Sequence, residues 1–159
     1  MPEFSIESNG LLQKTAVYYN GDQLKEVKEI FLNLDEQGSF DAIIQYEGGD
    51  EQIYTKNIFV DYLEQVQTTP PLFTEEEARS LTLLAVSSDG DIESTTVAIN
   101  DVEQVGIVSL YVHIKAPTEV EGGLFRFFDG KKDIPERPEF KAEIVFREDD
   151  GRLTTEGLF

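Results

Sequence analysis

The chain has 159 residues, a formal net charge of −19, and neither cysteine nor tryptophan. The lack of cysteine excludes disulfides, thiolate metal sites and cysteine nucleophiles, and a single histidine excludes a multi-histidine metal centre. Acidity on this scale opposes binding to nucleic-acid phosphates or anionic lipid and favours cationic partners. Hydrophobic residues make up 40% of the chain, enough for a real core, yet no apolar run reaches the roughly 18 residues of a membrane span. The first residues lack a basic and an apolar region, so no signal peptide is expected and a cytoplasmic location follows.

In chain order, Phe4, Ile6 and Ser8 alternate as in a strand and run into Asn9-Gly10. Asn-Gly is a leading two-residue hairpin signal, because both residues tolerate positive φ. A second strand, over about 12–19, ends at Asn20-Gly21. Residues 22–38 carry two readings. Asp22 as a cap, an apolar face of Leu24, Val27, Phe31 and Leu34, and Gly38 as a stop describe a helix. The alternation of Ile30, Leu32 and Leu34 describes a strand. Strands over 40–47 and 52–60 are joined at Gly48-Gly49. After Pro70-Pro71, the run Thr74-Glu75-Glu76-Glu77 has the form of a capping box and predicts a short helical turn over 74–80.

The second half echoes the first. Leu84, Val86 and Ser88 alternate into Asp89-Gly90, a strand over 92–99 ends at Asn100-Asp101, and Leu110, Val112 and Ile114 alternate again. Further strands are expected over 123–129, turning at Gly130, and over 140–147, with Pro135 and Pro138 lengthening the connection. At an offset of eighty, Ser8, Gly10, Thr15, Val17 and Asn20 meet identical residues at Ser88, Gly90, Thr95, Val97 and Asn100. Beyond this the offset is read as drifting in loops: Tyr46-Glu47-Gly48 on Phe128-Asp129-Gly130, Ile58-Phe59-Val60 on Ile144-Val145-Phe146, and Thr68-Thr69 with Leu72-Phe73 on Thr154-Thr155 with Leu158-Phe159. Val102, Val105, Ile107, Val108 and Val112 with Gly106 make a poor helix and a good strand, so a shared fold makes 22–38 strand as well.

The expected fold is therefore all-β and mainly antiparallel. Two tandem repeats, 1–73 and 81–159, joined by the turn at 74–80, pack face to face as one sandwich or barrel with a pseudo-twofold axis. Each repeat of roughly 75 residues is marginal alone, which favours one compact unit.

The acids are spread through the chain. Residues 29–55 carry seven acids and no base, and residues 80–114 carry five and no base. Asp89-Gly90-Asp91 resembles a fragment of a calcium loop, but the twelfth position is Asn100 where an EF-hand needs Glu. The candidates for weak metal ligands are the turn acids Asp89, Asp91, Asp129 and Asp133. His113 lies on the Tyr111/Lys115 side of its strand, opposite Leu110, Val112 and Ile114. No Gly-x-Ser-x-Gly elbow accompanies it, and neither 121–124 nor Gly130-Lys131-Lys132 fits a phosphate loop. Lys131, Lys132, Arg137 and Lys141 are interleaved with Asp129, Asp133, Glu136 and Glu139, so they form no nucleic-acid patch. Phe125, Phe127, Phe128 and Phe140 enrich the later strands in aromatic surface.

These features predict a small, acidic, non-enzymatic binding protein without a cofactor, which contacts a basic protein partner or a second copy of itself. The alternatives are a weak calcium- or cation-binding β protein and an inhibitor that imitates the charge of DNA. For the last, the acids of the two base-free stretches must form one continuous band.

Overall fold

The computed structural model describes residues 1–116 and 139–159. The expected strand over 123–129, the turn at Gly130, Pro135 and Pro138, and the aromatic residues Phe125, Phe127 and Phe128 lie outside the described residues. The described chain forms two antiparallel sheets. In chain order the strands are β1 (Glu3–Ser8), β2 (Ala16–Tyr19), β3 (Asp22–Lys25), β4 (Val27–Asp35), β5 (Phe40–Glu47), β6 (Ile53–Asn57), β7 (Gln67–Thr69), β8 (Thr82–Ser87), β9 (Thr96–Ile99), β10 (Val102–Glu103), β11 (Ile107–Lys115), β12 (Glu139–Arg147) and β13 (Leu153–Gly157). One turn of helix, α1 (Glu75–Ala78), precedes β8. Thr74 caps it: its hydroxyl accepts from the Glu77 N–H while the Glu77 carboxylate accepts from the Thr74 N–H.

One sheet has the order β10-β9-β8-β1-β2-β3-β7 and the other β13-β12-β11-β4-β5-β6. Neither closes on itself, which removes the barrel alternative. The chain's halves do not each supply one layer, as face-to-face packing would require. Each sheet instead takes strands from both halves, joined at its middle by β1 with β8 and by β4 with β11. Alternation explains how the sheets face each other: Ile30, Leu32 and Leu34 of β4 and Leu110, Val112 and Ile114 of β11 are buried, and the residues between them are not. One apolar cluster joins these to Phe4, Ile6, Leu84 and Val86 of the other sheet.

The 22–38 segment is strand, split into β3 and β4 at Glu26, whose φ is +60°. Two-residue turns with positive φ at both positions join β2 to β3 at Asn20-Gly21 and β9 to β10 at Asn100-Asp101. The Asn9-Gly10 and Asp89-Gly90 signals do not close tight hairpins. Each opens a longer connection whose next residues, Leu12–Lys14 or Ile92–Ser94, form a 3-10 turn, so the following strand starts at Ala16 or Thr96. The reason is polar satisfaction: buried Ser8 and Ser88 each lie 2.8 Å from a threonine hydroxyl, of Thr15 or Thr95, and accept from the N–H of Gly10 or Gly90 at 3.0 Å.

The later alignment between the halves also needs correction. Ile144-Val145-Phe146 lies in β12, whereas Ile58-Phe59-Val60 follows β6, and the strand there stops at Asn57. Thr68-Thr69 belongs to β7 beside β3, whereas Thr154-Thr155 belongs to β13 beside β12. By pairing, β5 lies beside β4 as β12 lies beside β11: Ala42 faces Leu32, and Ala142 faces Val112. Ile58 N–H donates to the Ala42 carbonyl (2.8 Å) as Leu158 N–H donates to that of Ala142 (3.1 Å). Two-residue alternation has the same phase at every even offset, so burial pattern alone does not choose among them.

Candidate binding face

The outward side of the six-stranded sheet brings together aromatic, histidine and carboxylate side chains. Its middle strands place Phe31 of β4 directly across from His113 of β11 and from Ile43 of β5. Tyr111 lies across from Asn33 on one side and Glu143 on the other. The Phe31 ring meets Tyr111 edge to face at 5.7 Å between centroids, and His113 at 5.8 Å. The Lys141 ammonium sits 5.5 Å from the Tyr111 ring centre.

His113 lies between two carboxylates. Its Nε2 is 2.6 Å from Glu29 of β4, and its Nδ1 is 3.1 Å from Glu139 of β12. The register produces this arrangement: both glutamates face Lys115, the next outward residue of β11, and so stand diagonal to the histidine. A protonated ring donates to both carboxylates at once and a neutral one to only one of them. Each ring nitrogen therefore has a carboxylate as its near neighbour. Asp41, opposite Asn33 and 3.5 Å from its amide nitrogen, and Glu143 add further negative charge around the aromatic centre.

Two of the predicted metal ligands, Asp89 and Asp91, lie elsewhere and accept hydrogen bonds within their own turn. Asp89 Oδ1 accepts from the Asp91 N–H at 3.0 Å and from the Ser94 hydroxyl. The Ser94 bond, with that backbone bond, holds the Asp89 carboxyl below its ordinary pKa. Asp91 Oδ1 accepts from the Glu93 N–H at 3.0 Å. These carboxylates serve the turn into the 3-10 segment. Asp129 and Asp133 lie outside the described residues. Among the described residues, no group of three or more acids or histidines is arranged to hold a metal ion.

The acids of the base-free stretches do not form one band. Asp35 caps the turn before β5, accepting from the Gln37 and Ser39 N–H groups, while Asp50 accepts from the Gln52 N–H in the turn after it. These turns are at opposite ends of an eight-residue strand. Glu36 is paired with Arg147, and Glu103 lies on the edge strand of the other sheet. No helix among the described residues is long and apolar enough to cross a membrane. Comparisons with protein-family models, with curated proteins and with solved structures find no match.

Proposed function

We propose that this is a non-enzymatic binding protein, and that the outward face of its six-stranded sheet receives a basic protein partner. The observation that carries this reading is the Phe31–Tyr111 edge-to-face pair with Glu29, Asp41, Glu139 and Glu143 around it. Rigid aromatic side chains at the centre of a patch, with charge at the rim, are the usual anatomy of a protein interface. Arginine suits this face best, since its guanidinium stacks on aromatic rings and pairs with carboxylates. The net charge of −19 speeds the approach of such a partner.

We also infer that the chain is a duplicated β unit whose halves are related by a pseudo-twofold axis. The offset of eighty over the first four strands supports it, as does an offset of a hundred that aligns β5 and β6 with β12 and β13. The register supports it too, because Ser5 faces Ala85 and Leu32 faces Val112. On this reading Phe31 and Tyr111 are equivalent positions flanking the axis, while His113 stands where the first half has Asn33. The face is thus built from equivalent strands but carries unequal chemistry.

Titration of the isotope-labelled protein with a hexa-arginine peptide at physiological ionic strength, followed by amide NMR shifts, tests the proposed face. The expected shifts concentrate on the outward residues of β4, β5 and β11, and Phe31→Ala with Tyr111→Ala weakens binding by about tenfold or more. Shifts spread evenly over all acidic turns, or an affinity unchanged by the double substitution, overturn the proposal. Loss of the monomer without peptide would instead assign the face to self-association.

A further inference from the structure

A cavity of about 650 Å³ opens at one end of the sandwich, where β2 and β3 of one sheet meet the start of β4 and the end of β11 of the other. Its wall is apolar: Val17, Leu24, Val27, Ile30, Leu72 and Ile114 line it. Lys25 and Lys28 stand at its mouth. Glu26 and Glu29 are there too, but Glu26 is paired with Lys28 at 3.5 Å and Glu29 with His113. Lys25 is exposed and has no ion pair among the described residues. Gln23, only 4% exposed, also belongs to the wall. Its Oε1 accepts from the Leu72 N–H at 3.0 Å, and its amide hydrogens have no partner among the described residues. A buried amide left with free donors calls for an acceptor.

The opposite end of the sandwich is the natural comparison. There the equivalent elements enclose only about 240 Å³, and Asp35, Glu36 and Glu103 line the space. Eighty residues after Gln23, Leu24, Lys25 and Lys28 stand Glu103, Gln104, Val105 and Val108. The first mouth is therefore the larger and more apolar one; its two lysines balance its two glutamates, and Lys25 is the charge there that has no ion-pair partner among the described residues.

We propose that this cavity binds a small anionic amphiphile, a straight-chain carboxylate whose hydrocarbon tail enters between the sheets and whose head group meets Lys25 and the Gln23 amide. The volume lies in the range of small-ligand pockets, and the combination of apolar wall and few polar groups is typical of them. The charge at the mouth chooses the head group: Lys25 attracts a carboxylate and repels a quaternary ammonium. The tail supplies most of the affinity, at about fourfold per buried methylene.

Calorimetric titration of the full chain with hexanoate, decanoate and dodecanoate, below their micelle concentrations, tests this directly. Dodecyltrimethylammonium serves as the charge-reversed probe. The expected result is saturable one-to-one binding that tightens with chain length, weak or absent binding of the ammonium, and methyl NMR shifts at Val17, Leu24, Ile30 and Ile114. Lys25→Glu should weaken dodecanoate about tenfold or more, whereas Arg152→Glu, the same charge change on a remote exposed turn, should leave it within about twofold. Equal weakening by the two variants, equal binding of the ammonium, shifts confined to other residues, or no saturable binding each overturn the proposal.

Discussion

The Tyr46 ring is fully buried, stacks on Tyr54 at 5.5 Å and sends its hydroxyl to the Glu64 carbonyl at 2.7 Å. Removing the hydroxyl leaves that carbonyl unpaired, so Tyr46→Phe should cost about 1–3 kcal/mol in urea unfolding. Burial, followed by the charges of Glu64 and Asp50, pushes the Tyr46 phenol up to about 12; burial and Glu7 do the same for Tyr18. An unfolded tyrosine titrates near 10. A raised phenol pKa means that the folded chain keeps protons the unfolded chain has released. This contribution to stability is fully present below pH ~10 and is lost as the pH rises towards 12. Urea midpoints should therefore fall between pH 9 and pH 11, and less steeply in Tyr46→Phe. At this scale the sequence was partly legible. Alternation places His113 on the outward side, yet its partners Glu29 and Glu139 are 84 and 26 positions away and become neighbours only through the strand register. Asp89 and Asp91 are conspicuous in sequence, but nothing there shows that backbone amides already occupy their oxygens.

Among the elements, the two positive-φ turns offer the sharpest comparison. Asn20 and Asn100 both have φ of +50°, and each side-chain oxygen accepts from a backbone N–H at 2.9 Å, of Glu3 or Leu83. Alanine at either position loses the bond and strains the backbone, each effect worth about 1 kcal/mol. Asn20→Ala and Asn100→Ala should therefore each lower stability by about 2 kcal/mol, with additive effects in the double variant because the turns share no partner. Unequal losses would show that the turns differ despite matching geometry. Most strands were readable from period-two patterning, though not β7 or β13, and the helix reading of 22–38 yielded to it. The pairing of the later strands was not readable, because small residues such as Ala42 and Ala142 give no signal in a hydrophobic pattern, although they hold matching places in the register. The 3-10 turns escaped for a related reason. Their cause is a buried serine seeking partners, and a lone serine in sequence looks like any strand end.

The whole molecule carries an excess of carboxylates around the apolar core that its described residues share. Several ion pairs join exposed side chains, as with Arg152–Asp150 and Lys14–Glu77, so they contribute little against the general repulsion. Raising the salt from about 0.01 to 0.15 M shortens the screening length from about 30 to 8 Å. The melting temperature should rise over that range, and a fall would mean that attractive pairs outweigh the repulsion. Composition already indicated the excess of negative charge. It did not indicate that the lysines at one end gather around an apolar mouth, because that mouth forms only when β3, β4 and β11 come together. The two seams, β1 with β8 and β4 with β11, carry a kinetic consequence. Each joins residues some eighty positions apart, as in Phe4 with Val86 and Leu32 with Val112. Neither sheet acquires its middle until the ribosome has released β8 or β11, so early strands emerge with bare edges and wait for partners from the second half. Such distant closures fold on the millisecond-to-second scale rather than in microseconds. During synthesis, the carboxylates that strain the finished molecule keep those waiting edges from finding one another on neighbouring chains.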